Sequence, residues 1–483
     1  MKIKVNNKIQ EIDENGLNIS DILTKNKVEV PEMVSVQLNG EFIKKESFET
    51  AFVKENDEVD FLYFMGGGII MTNKLGFSTK AIHSKFIKKD PHGALHMPVY
   101  DSVAFEYESA EDLELSFQGK KPNHIYSRIT NPTVENFEQK IKKITDAFGV
   151  IALSSGMAAI SNLIITIAGS GDNIITTKHL FGNSYSLFER TLKSWGLEVK
   201  YSDLTELENF EKLIDNKTKM IFFETITNPQ LEVADINALS KLTKDNNILL
   251  VADTTITPLC FFNAKELGID IEVLSSTKYI SGGATSVGGL IIDNGLFDWQ
   301  NNEKLAKDAK KYGPFTLLSK LRTESYRNLG ACLSPHSAYL QSLGLETFAL
   351  RVDKSCINTL TIAQFLESQK KVKTVNYPGL KSSPYYKIAK KQFNNLPGAL
   401  LTFDLSSKKE CFQFMNRLKI IKRATNLNDN KTLIIHPAST IFCEYASELK
   451  EQMGVRETMM RLAVGIEDIE DIISDIKQAL EVL

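Results

Sequence analysis

The chain has 483 residues, of which 42% are hydrophobic and 24% charged; this predicts a soluble globular protein with two or three domains. Its net charge of −3 disfavours nucleic acid and anionic membranes as partners. Five scattered cysteines, no secretory signal and no membrane-length apolar run argue against disulfides, a zinc site or a membrane span, and predict a cytoplasmic protein.

The N-terminal segment predicts a small mixed α/β fold. "MKIKVNNKIQEI" indicates two short strands around an Asn-Asn pair, which tolerates the left-handed conformation of a tight turn. "NISDILTKN" indicates a helix capped by Asn18 or Ser20. The alternation in "VSVQLNGEFI" places a hairpin at Asn39-Gly40, and "ENDEVDFLYF" adds a final strand. This order of elements predicts a β-grasp domain.

The same segment resembles a known family over residues 1–68. "MKIKVNN", "VQLNGEFI", "ENDEVDFLYF" and the closing glycines are similar to the ubiquitin-like sulfur carriers of the thiamin and molybdopterin pathways. The resemblance implies that the tail Gly66, Gly67 and Gly68 is adenylated and converted to a thiocarboxylate. Because the chain continues to residue 483, this would require a protease that cuts after Gly67 or Gly68, as well as an adenylating enzyme. The alternatives are a flexible glycine linker and a domain that only docks or stabilises.

The rest of the chain predicts an open α/β sheet. From Gly149 onward, apolar runs such as "KMIFFE" and "ILLVAD" alternate with helical stretches. Uniformly apolar runs are typical of parallel strands that are buried on both faces. Open α/β sheets bind their ligands beyond the carboxyl ends of such strands. The polar residues that follow each run are therefore candidate ligand contacts.

Four of these strand ends carry residues with useful chemistry. Lys278 could form an imine, and Asp253 could pair with a protonated pyridine nitrogen. Residues 155–157 open a helix whose free amides favour phosphate, and Asn228 could bond a ring hydroxyl. Each feature also has an ordinary structural explanation: a surface lysine, a helix-capping Asp, close helix–strand packing or an Asn-Pro turn.

In combination, these motifs and "YSRITNPT" resemble the pyridoxal phosphate (PLP) enzymes of cysteine and methionine metabolism, from about Gly76 to the end. The resemblance implies an α/β fold of the aspartate aminotransferase-like fold type I behind the β-grasp domain. The expected domains are a β-grasp domain at 1–68, a linker and N-terminal arm at 69–130, a large PLP-binding domain at 131–330 and a small α/β domain at 331–483.

The resemblance also implies roles for individual residues. Lys278 matches the Schiff-base lysine, and Tyr126 and Arg128 match residues that reach the cofactor phosphate of a neighbouring subunit, typically in a homotetramer. Arg461 of "RLAVGIED" matches the arginine that binds the α-carboxylate of the amino-acid substrate, with Asn426 nearby. The remaining cofactor contacts implied are Ser155, Gly156, Met157, Phe181, Asn228, Asp253, Ser275 and Thr277. No metal is implied.

Departures from the family bear on the reaction. Phe181 replaces the usual Tyr stacked on the cofactor, so acid–base work would pass to Tyr126, Lys278 or water. Asn183 replaces a Cys typical of methionine γ-lyases, and Ile441-Phe442 replaces a sequence common in sulfhydrylases. "TNLNDNKTLIIHPAST" and "SPHSAYLQSLGLETFALR" resemble O-acetylhomoserine sulfhydrylase most, which implies γ-replacement to homocysteine. Cystathionine γ-synthase and methionine γ-lyase chemistry remain alternatives.

Overall fold

The computed structural model describes residues 1–14, 16–28, 34–63, 75–83, 90–204 and 206–483. The glycine tail, Gly66 to Gly68, lies outside these residues. Three sheets organise the described chain, and each has its own packed core. No helix of the described residues is long and apolar enough to cross a membrane.

The first sheet has the strand order β2-β1-β5-β3-β4, with β1 and β5 parallel in its middle. Its elements are β1 (Lys2–Val5), β2 (Lys8–Glu11), α1 (Ile19–Lys25), β3 (Val34–Leu38), β4 (Glu41–Ile43) and β5 (Glu58–Tyr63). Both hairpins form as predicted, because Asn6, Asn7 and Asn39 adopt positive φ angles of 46°, 65° and 54°. Asn18 caps α1, and its side chain accepts from the amide of Asp21.

The central sheet has seven strands in the order β6-β12-β11-β10-β9-β7-β8. These are β6 (Gly149–Leu153), β7 (Asn173–Thr176), β8 (Glu198–Tyr201), β9 (Thr218–Glu224), β10 (Leu249–Asp253), β11 (Ile271–Leu274) and β12 (Gly289–Asp293). The predicted parallel strands β9 and β10 pair in parallel, and β12 runs antiparallel to both of its neighbours. Apart from the edge strand β8, the strands are almost wholly buried, which explains their apolar runs.

Alternate residues of these strands belong to different buried cores, so both faces of the sheet are covered. The helices of this part of the chain are α2 (Phe77–Ile82), α3 (Ala110–Phe117), α4 (Pro132–Thr145), α5 (Gly156–Ile167), α6 (Gly182–Ser186), α7 (Leu207–Leu213), α8 (Ile236–Asp245), α9 (Ala306–Tyr312), α10 (Thr316–Lys320) and α11 (Tyr326–Leu329). Ser155 caps α5 through its hydroxyl, which accepts from the amide of Ala158. The cap fixes the start of α5 directly after β6.

The third sheet, with the order β13-β14-β17-β16-β15, forms the C-terminal part. Its strands are β13 (Thr374–Asn376), β14 (Leu400–Asp404), β15 (Lys422–Arg423), β16 (Leu433–Ile435) and β17 (Met459–Ala463). The helices of the C-terminal part are α12 (Pro335–Glu346), α13 (Phe348–Glu367), α14 (Tyr386–Gln392), α15 (Lys408–Arg417), α16 (Ser447–Gln452) and α17 (Ile469–Glu481). Of these, α12 packs against α2 and α4 beside the central sheet. β17 lies in the middle of this sheet, and residues of the sheet contact the carboxyl end of the central one.

Candidate active site

Lys278 follows β11 and faces the third sheet. Its Nζ donates to Oδ1 of Asn426 at 2.7 Å, and Nδ2 of Asn426 donates to Oδ2 of Asp429 at 2.9 Å. Burial, together with the positive charge of Arg461, lowers the pKa of Lys278 to about 8. An appreciable fraction of this amine is therefore neutral near pH 7, and a neutral amine is the nucleophilic form.

An anion cradle is built where α5 meets the loop after β11. A Cβ atom at Gly156 would lie 2.9 Å from Cβ of Ser275, so only glycine allows this close approach. Beside it, Oγ1 of Thr277 accepts from the amide of Gly288 at 3.0 Å. The first amides of a helix have no intrahelical acceptor, so those at the start of α5, including that of Met157, are suited with the neighbouring hydroxyls to a phosphate group.

Asp253 ends β10 at the same edge of the central sheet. Its Oδ1 accepts from the amide of Thr255 at 2.9 Å, which fixes the carboxyl orientation. Burial raises the pKa of Asp253, although the hydrogen bonds from Thr255 oppose this change. A cationic ring nitrogen placed beside this carboxyl would find a partner there.

Glu224 is a site residue that the sequence reasoning missed. It ends β9 in register with Asp253 and is buried. Its two carboxyl oxygens accept from the amides of Phe181 and Asn228, at 2.5 and 3.0 Å. One side chain therefore holds the backbone of two residues that the sequence placed in the cofactor site. The available signal was its position as the first polar residue after the run "KMIFF".

Arg461 lies on the central strand of the third sheet and is 2% exposed, so it is not a surface arginine at a sheet edge. Its guanidinium donates to Oδ1 of Asn228 at 3.1 Å and to the carbonyls of Thr425 and Asn426, each at 3.2 Å. Its buried Nε has no hydrogen-bond partner among the described residues. Burial lowers the pKa of Arg461 to about 10. A carboxylate ligand would satisfy this cation.

Among the described residues, no hydrogen bond or ring contact joins Tyr126 or Arg128 to Lys278. Tyr126 is 40% exposed. The Arg128 guanidinium lies 5.4 Å from the ring centroid of Tyr126 and also donates to the carbonyl of Arg327. Both side chains therefore lie at the surface of this chain, unlike the buried cluster around Arg461.

The family departures lie beside Phe181. Tyr445 donates its hydroxyl proton to the carbonyl of Gly182 at 2.7 Å, and a Cβ atom at Gly182 would meet the carbonyl of Ile441 at 2.8 Å. Phe442 is fully buried in the core of the central domain. Ile441 and Phe442, which depart from the family pattern, therefore pack against the turn that carries Phe181. The Phe442 side chain lies in the core and does not line the site.

Comparisons with known proteins identify the families that the two parts of the chain match. Residues 78–481 match the family of Cys/Met metabolism PLP-dependent enzymes, and residues 3–68 match the ThiS family. A structure from Campylobacter jejuni, assigned as O-acetylhomoserine (thiol)-lyase, carries N'-pyridoxyl-lysine-5'-monophosphate. It is 32% identical in sequence to this chain and superposes with a TM-score of 0.79. The match covers 84% of this chain and 100% of the Campylobacter jejuni chain. The predicted fold and cofactor are confirmed by these matches.

The relatives divide between two reactions. L-methionine gamma-lyase of Fusobacterium nucleatum is 36% identical and covers 84% of this chain and 98% of its own length. O-acetyl-L-homoserine sulfhydrylase of Corynebacterium glutamicum is 34% identical, and the match covers 83% of this chain and 96% of the length of that enzyme. The structure of O-acetylhomoserine sulfhydrylase from Wolinella succinogenes, reported with a novel mechanism of sulfur transfer, is 51% identical with a TM-score of 0.66, and covers 72% of this chain and 97% of its own.

The residues present fit pyridoxal phosphate. A buried amine with a lowered pKa, a cradle that a Cβ at Gly156 would fill and a carboxyl at a strand end suit its aldehyde, phosphate and ring nitrogen. The unpartnered Nε of Arg461 leaves room for a substrate carboxylate. Among the described residues, no group of three or more His, Cys, Asp or Glu side chains is placed to hold a metal ion.

Proposed function

Because the chain belongs to the Cys/Met metabolism PLP-dependent enzymes, we propose that it converts O-acetyl-L-homoserine and a sulfur nucleophile into L-homocysteine and acetate. A C–S bond forms at Cγ of the substrate while the bond from Cγ to the acetyl oxygen breaks. The observation that carries this proposal is the fusion of a ThiS-family domain to this enzyme. The 51% identity to the Wolinella succinogenes sulfhydrylase supports it.

The chain's own residues divide the work. Bound pyridoxal phosphate would supply an electron sink for the substrate α-carbon. Lys278 would hold the cofactor and, once released, move protons at Cα and Cβ as a neutral amine. Arg461 would bind the α-carboxylate, with Asn426 at its side. Phe181 would stack on the ring, where a phenyl group orients but transfers no proton.

The remaining contacts would fix the cofactor. Ser155, Gly156 and Met157, with the hydroxyls of Ser275 and Thr277, would bind its phosphate. Asp253 would pair with the ring nitrogen, and Asn228 would contact the ring hydroxyl. These assignments rest on the positions of the side chains and on the matching family motifs.

We further propose that Tyr126 and Arg128 complete the site of a neighbouring subunit within a homotetramer in the cytoplasm, with Tyr126 as an acid–base group. Their exposure supports this, as do Leu95 and Val103 of the same arm, which are 91% and 56% exposed. Co-expression of Lys278→Ala and Arg128→Ala chains should restore activity, because mixed dimers contain one intact site. Two inactive parents that stay inactive together would contradict the shared site.

The fused domain would supply the sulfur. After a cut at Gly67 or Gly68, a partner enzyme would adenylate the new carboxylate, and a sulfide-level sulfur would displace AMP to give a thiocarboxylate. This terminal thiocarboxylate would then attack Cγ in place of sulfide. Water would then hydrolyse the acyl–sulfur bond, which returns a carboxylate on the carrier and releases homocysteine. A domain that only docks or stabilises remains the alternative.

Product analysis tests the enzymatic half of the proposal. The protein supplied with O-acetylhomoserine and sulfide should release homocysteine and acetate in equal amounts, and Lys278→Ala should release neither. The second candidate is a lyase, which the 36% identity to the Fusobacterium nucleatum enzyme favours. Ammonia and 2-oxobutanoate formed without added sulfide would identify that activity and contradict the replacement reaction.

A further inference from the structure

One face of the β-grasp sheet is covered by the enzyme domain. Val34 and Val36 of β3 fill the core of the β-grasp domain, so the alternate side chains of this strand point to the opposite face of the sheet. Those alternate residues, Ser35 and Gln37, are only 1% and 6% exposed. Leu62 of β5 is buried on the same outer face. Polar residues on the outer face of a sheet are normally exposed to solvent. Here the enzyme domain excludes solvent from them.

Specific polar contacts hold this face in place. Nε2 of Gln37 donates to the carbonyl of Lys311 at 3.1 Å, and Nδ2 of Asn6 donates to the carbonyl of Lys120 at 3.2 Å. Nζ of Lys120 lies 3.1 Å from Oδ1 of Asp60, and these two side chains are 15% and 14% exposed. A charge pair shielded to this degree gives an interface register and specificity.

Aromatic contacts extend the interface around Gly313. A Cβ atom there would lie 2.6 Å from Cε1 of Phe42, so the ring of Phe42 rests directly on the backbone. Nζ of Lys45 lies 5.9 Å from the ring centroid of Phe315. The Phe315 ring in turn packs on Phe148, with centroids 4.7 Å apart. Phe148 precedes β6, whereas the phosphate cradle follows the other end of that strand.

We propose that the surface formed by Lys120, Lys311, Gly313 and Phe315 is a docking site that retains the β-grasp domain non-covalently after the chain is cut at the glycines. The occupant is the β-grasp domain of the same chain, whose Asn6, Gln37 and Asp60 already contact this surface. The polar character of the buried face suits a domain that must also exist in solution. Because the site lies at the opposite end of β6 from the cradle, an occupied docking site leaves Lys278 accessible.

The full chain with a protease recognition sequence inserted after Gly68 provides the test. After cutting, gel filtration at micromolar concentration followed by mass spectrometry should show both fragments eluting together. Lys120→Glu should weaken retention by about tenfold or more, because it leaves Asp60 buried beside a like charge. Adding Asp60→Lys to that variant restores an opposite-charge pair and should recover retention.

Lys121→Glu is the matched control, since Lys121 pairs with Asp112 of its own segment at 2.6 Å. It changes the net charge equally and should leave retention unaltered. Thermal melting of each uncut chain checks folding, and Asp60→Asn serves as a milder variant if Lys120→Glu does not fold. The proposal is overturned if the small fragment separates from the cut wild-type protein. It is also overturned if Lys120→Glu and Lys121→Glu weaken retention of the fragment to the same extent.

The proposal rests on the cleavage in the proposed function but not on its sulfur chemistry. Retention is measured without substrate and without a sulfur donor, so its loss would leave the replacement reaction untouched. Equally, a chain that retains its fragment yet forms no homocysteine would contradict only the proposed function.

Discussion

Glu224 and Asp253 occupy paired positions on the adjacent parallel strands β9 and β10, so their carboxyl groups lie side by side at the carboxyl end of the central sheet. Burial and the negative charge of Asp253 raise the pKa of Glu224 well above its usual value. Two adjacent carboxyl groups rarely ionise together in such a setting. The arrangement therefore disfavours a state in which both carboxyl groups are ionised, and burial raises the pKa of Asp253 as well.

Removing Glu224 should loosen the cofactor site. Glu224→Ala deprives the amides of Phe181 and Asn228 of their acceptor, and unsatisfied buried donors cost about 1–3 kcal/mol. We expect the dissociation constant for pyridoxal phosphate, measured by equilibrium dialysis, to rise by about tenfold. Glu224→Gln keeps one acceptor and should lose less. The exposed Glu211→Ala is the control, and wild-type affinity in Glu224→Ala would refute the role.

The pKa of Lys278 predicts how cofactor capture depends on pH. Only the neutral amine attacks an aldehyde, and the pKa of Lys278 is lowered from 10.5 to about 8. The rate at which apoenzyme takes up pyridoxal phosphate, followed by absorbance, should therefore rise with pH and level off above about 8. A rate that continues to rise toward the usual lysine pKa of 10.5 would contradict the lowered value.

Arg461 should affect substrate binding more than turnover. Arg461→Lys keeps a positive charge but loses the planar fork that binds a carboxylate with two hydrogen bonds. We expect KM for the amino-acid substrate to rise by about 10–100-fold with a smaller change in kcat. Arg456→Lys is the control, because Arg456 pairs with Asp404 outside the site. A fall in kcat at unchanged KM would argue against carboxylate binding.

Glu272 should make the fold less stable at alkaline pH. Burial raises its pKa from 4.5 to about 7, so its stabilising effect is complete below the unfolded value of 4.5 and is lost as pH rises through about 7. The loss amounts to about 3 kcal/mol. The melting temperature should fall between pH 5 and 8, and Glu272→Gln should reduce that slope. Equal slopes in the two proteins would contradict this assignment.

Features fixed by local sequence could be predicted before the structure. Asn39-Gly40 directs its own hairpin, and Asn18 caps its own helix, because both act through the backbone next to them. The strand ends were equally visible, since a polar residue after a buried run marks the sheet edge. Lys278, Asp253 and Asn228 were therefore identified as candidates from the sequence.

Relations between distant segments could not be predicted in this way. The hydrogen bond between Lys278 and Asn426 joins residues 148 positions apart, and no local pattern sets their distance. Glu224 was missed because its role depends on the register of β9 against β10 and on the turn at Phe181. The docking of Gln37 and Asp60 on the enzyme domain likewise depends on side chains from two separate folds.

The most direct test of the central claim is a single-turnover donor experiment. The protein, cut after Gly67 or Gly68 and carrying a thiocarboxylate at the new glycine terminus, is mixed with O-acetylhomoserine in the absence of free sulfide. Homocysteine and the carrier are then quantified by mass spectrometry. We predict homocysteine in stoichiometric amount with the carrier, whose terminus returns to a carboxylate. Homocysteine that forms only after free sulfide is added would contradict the account.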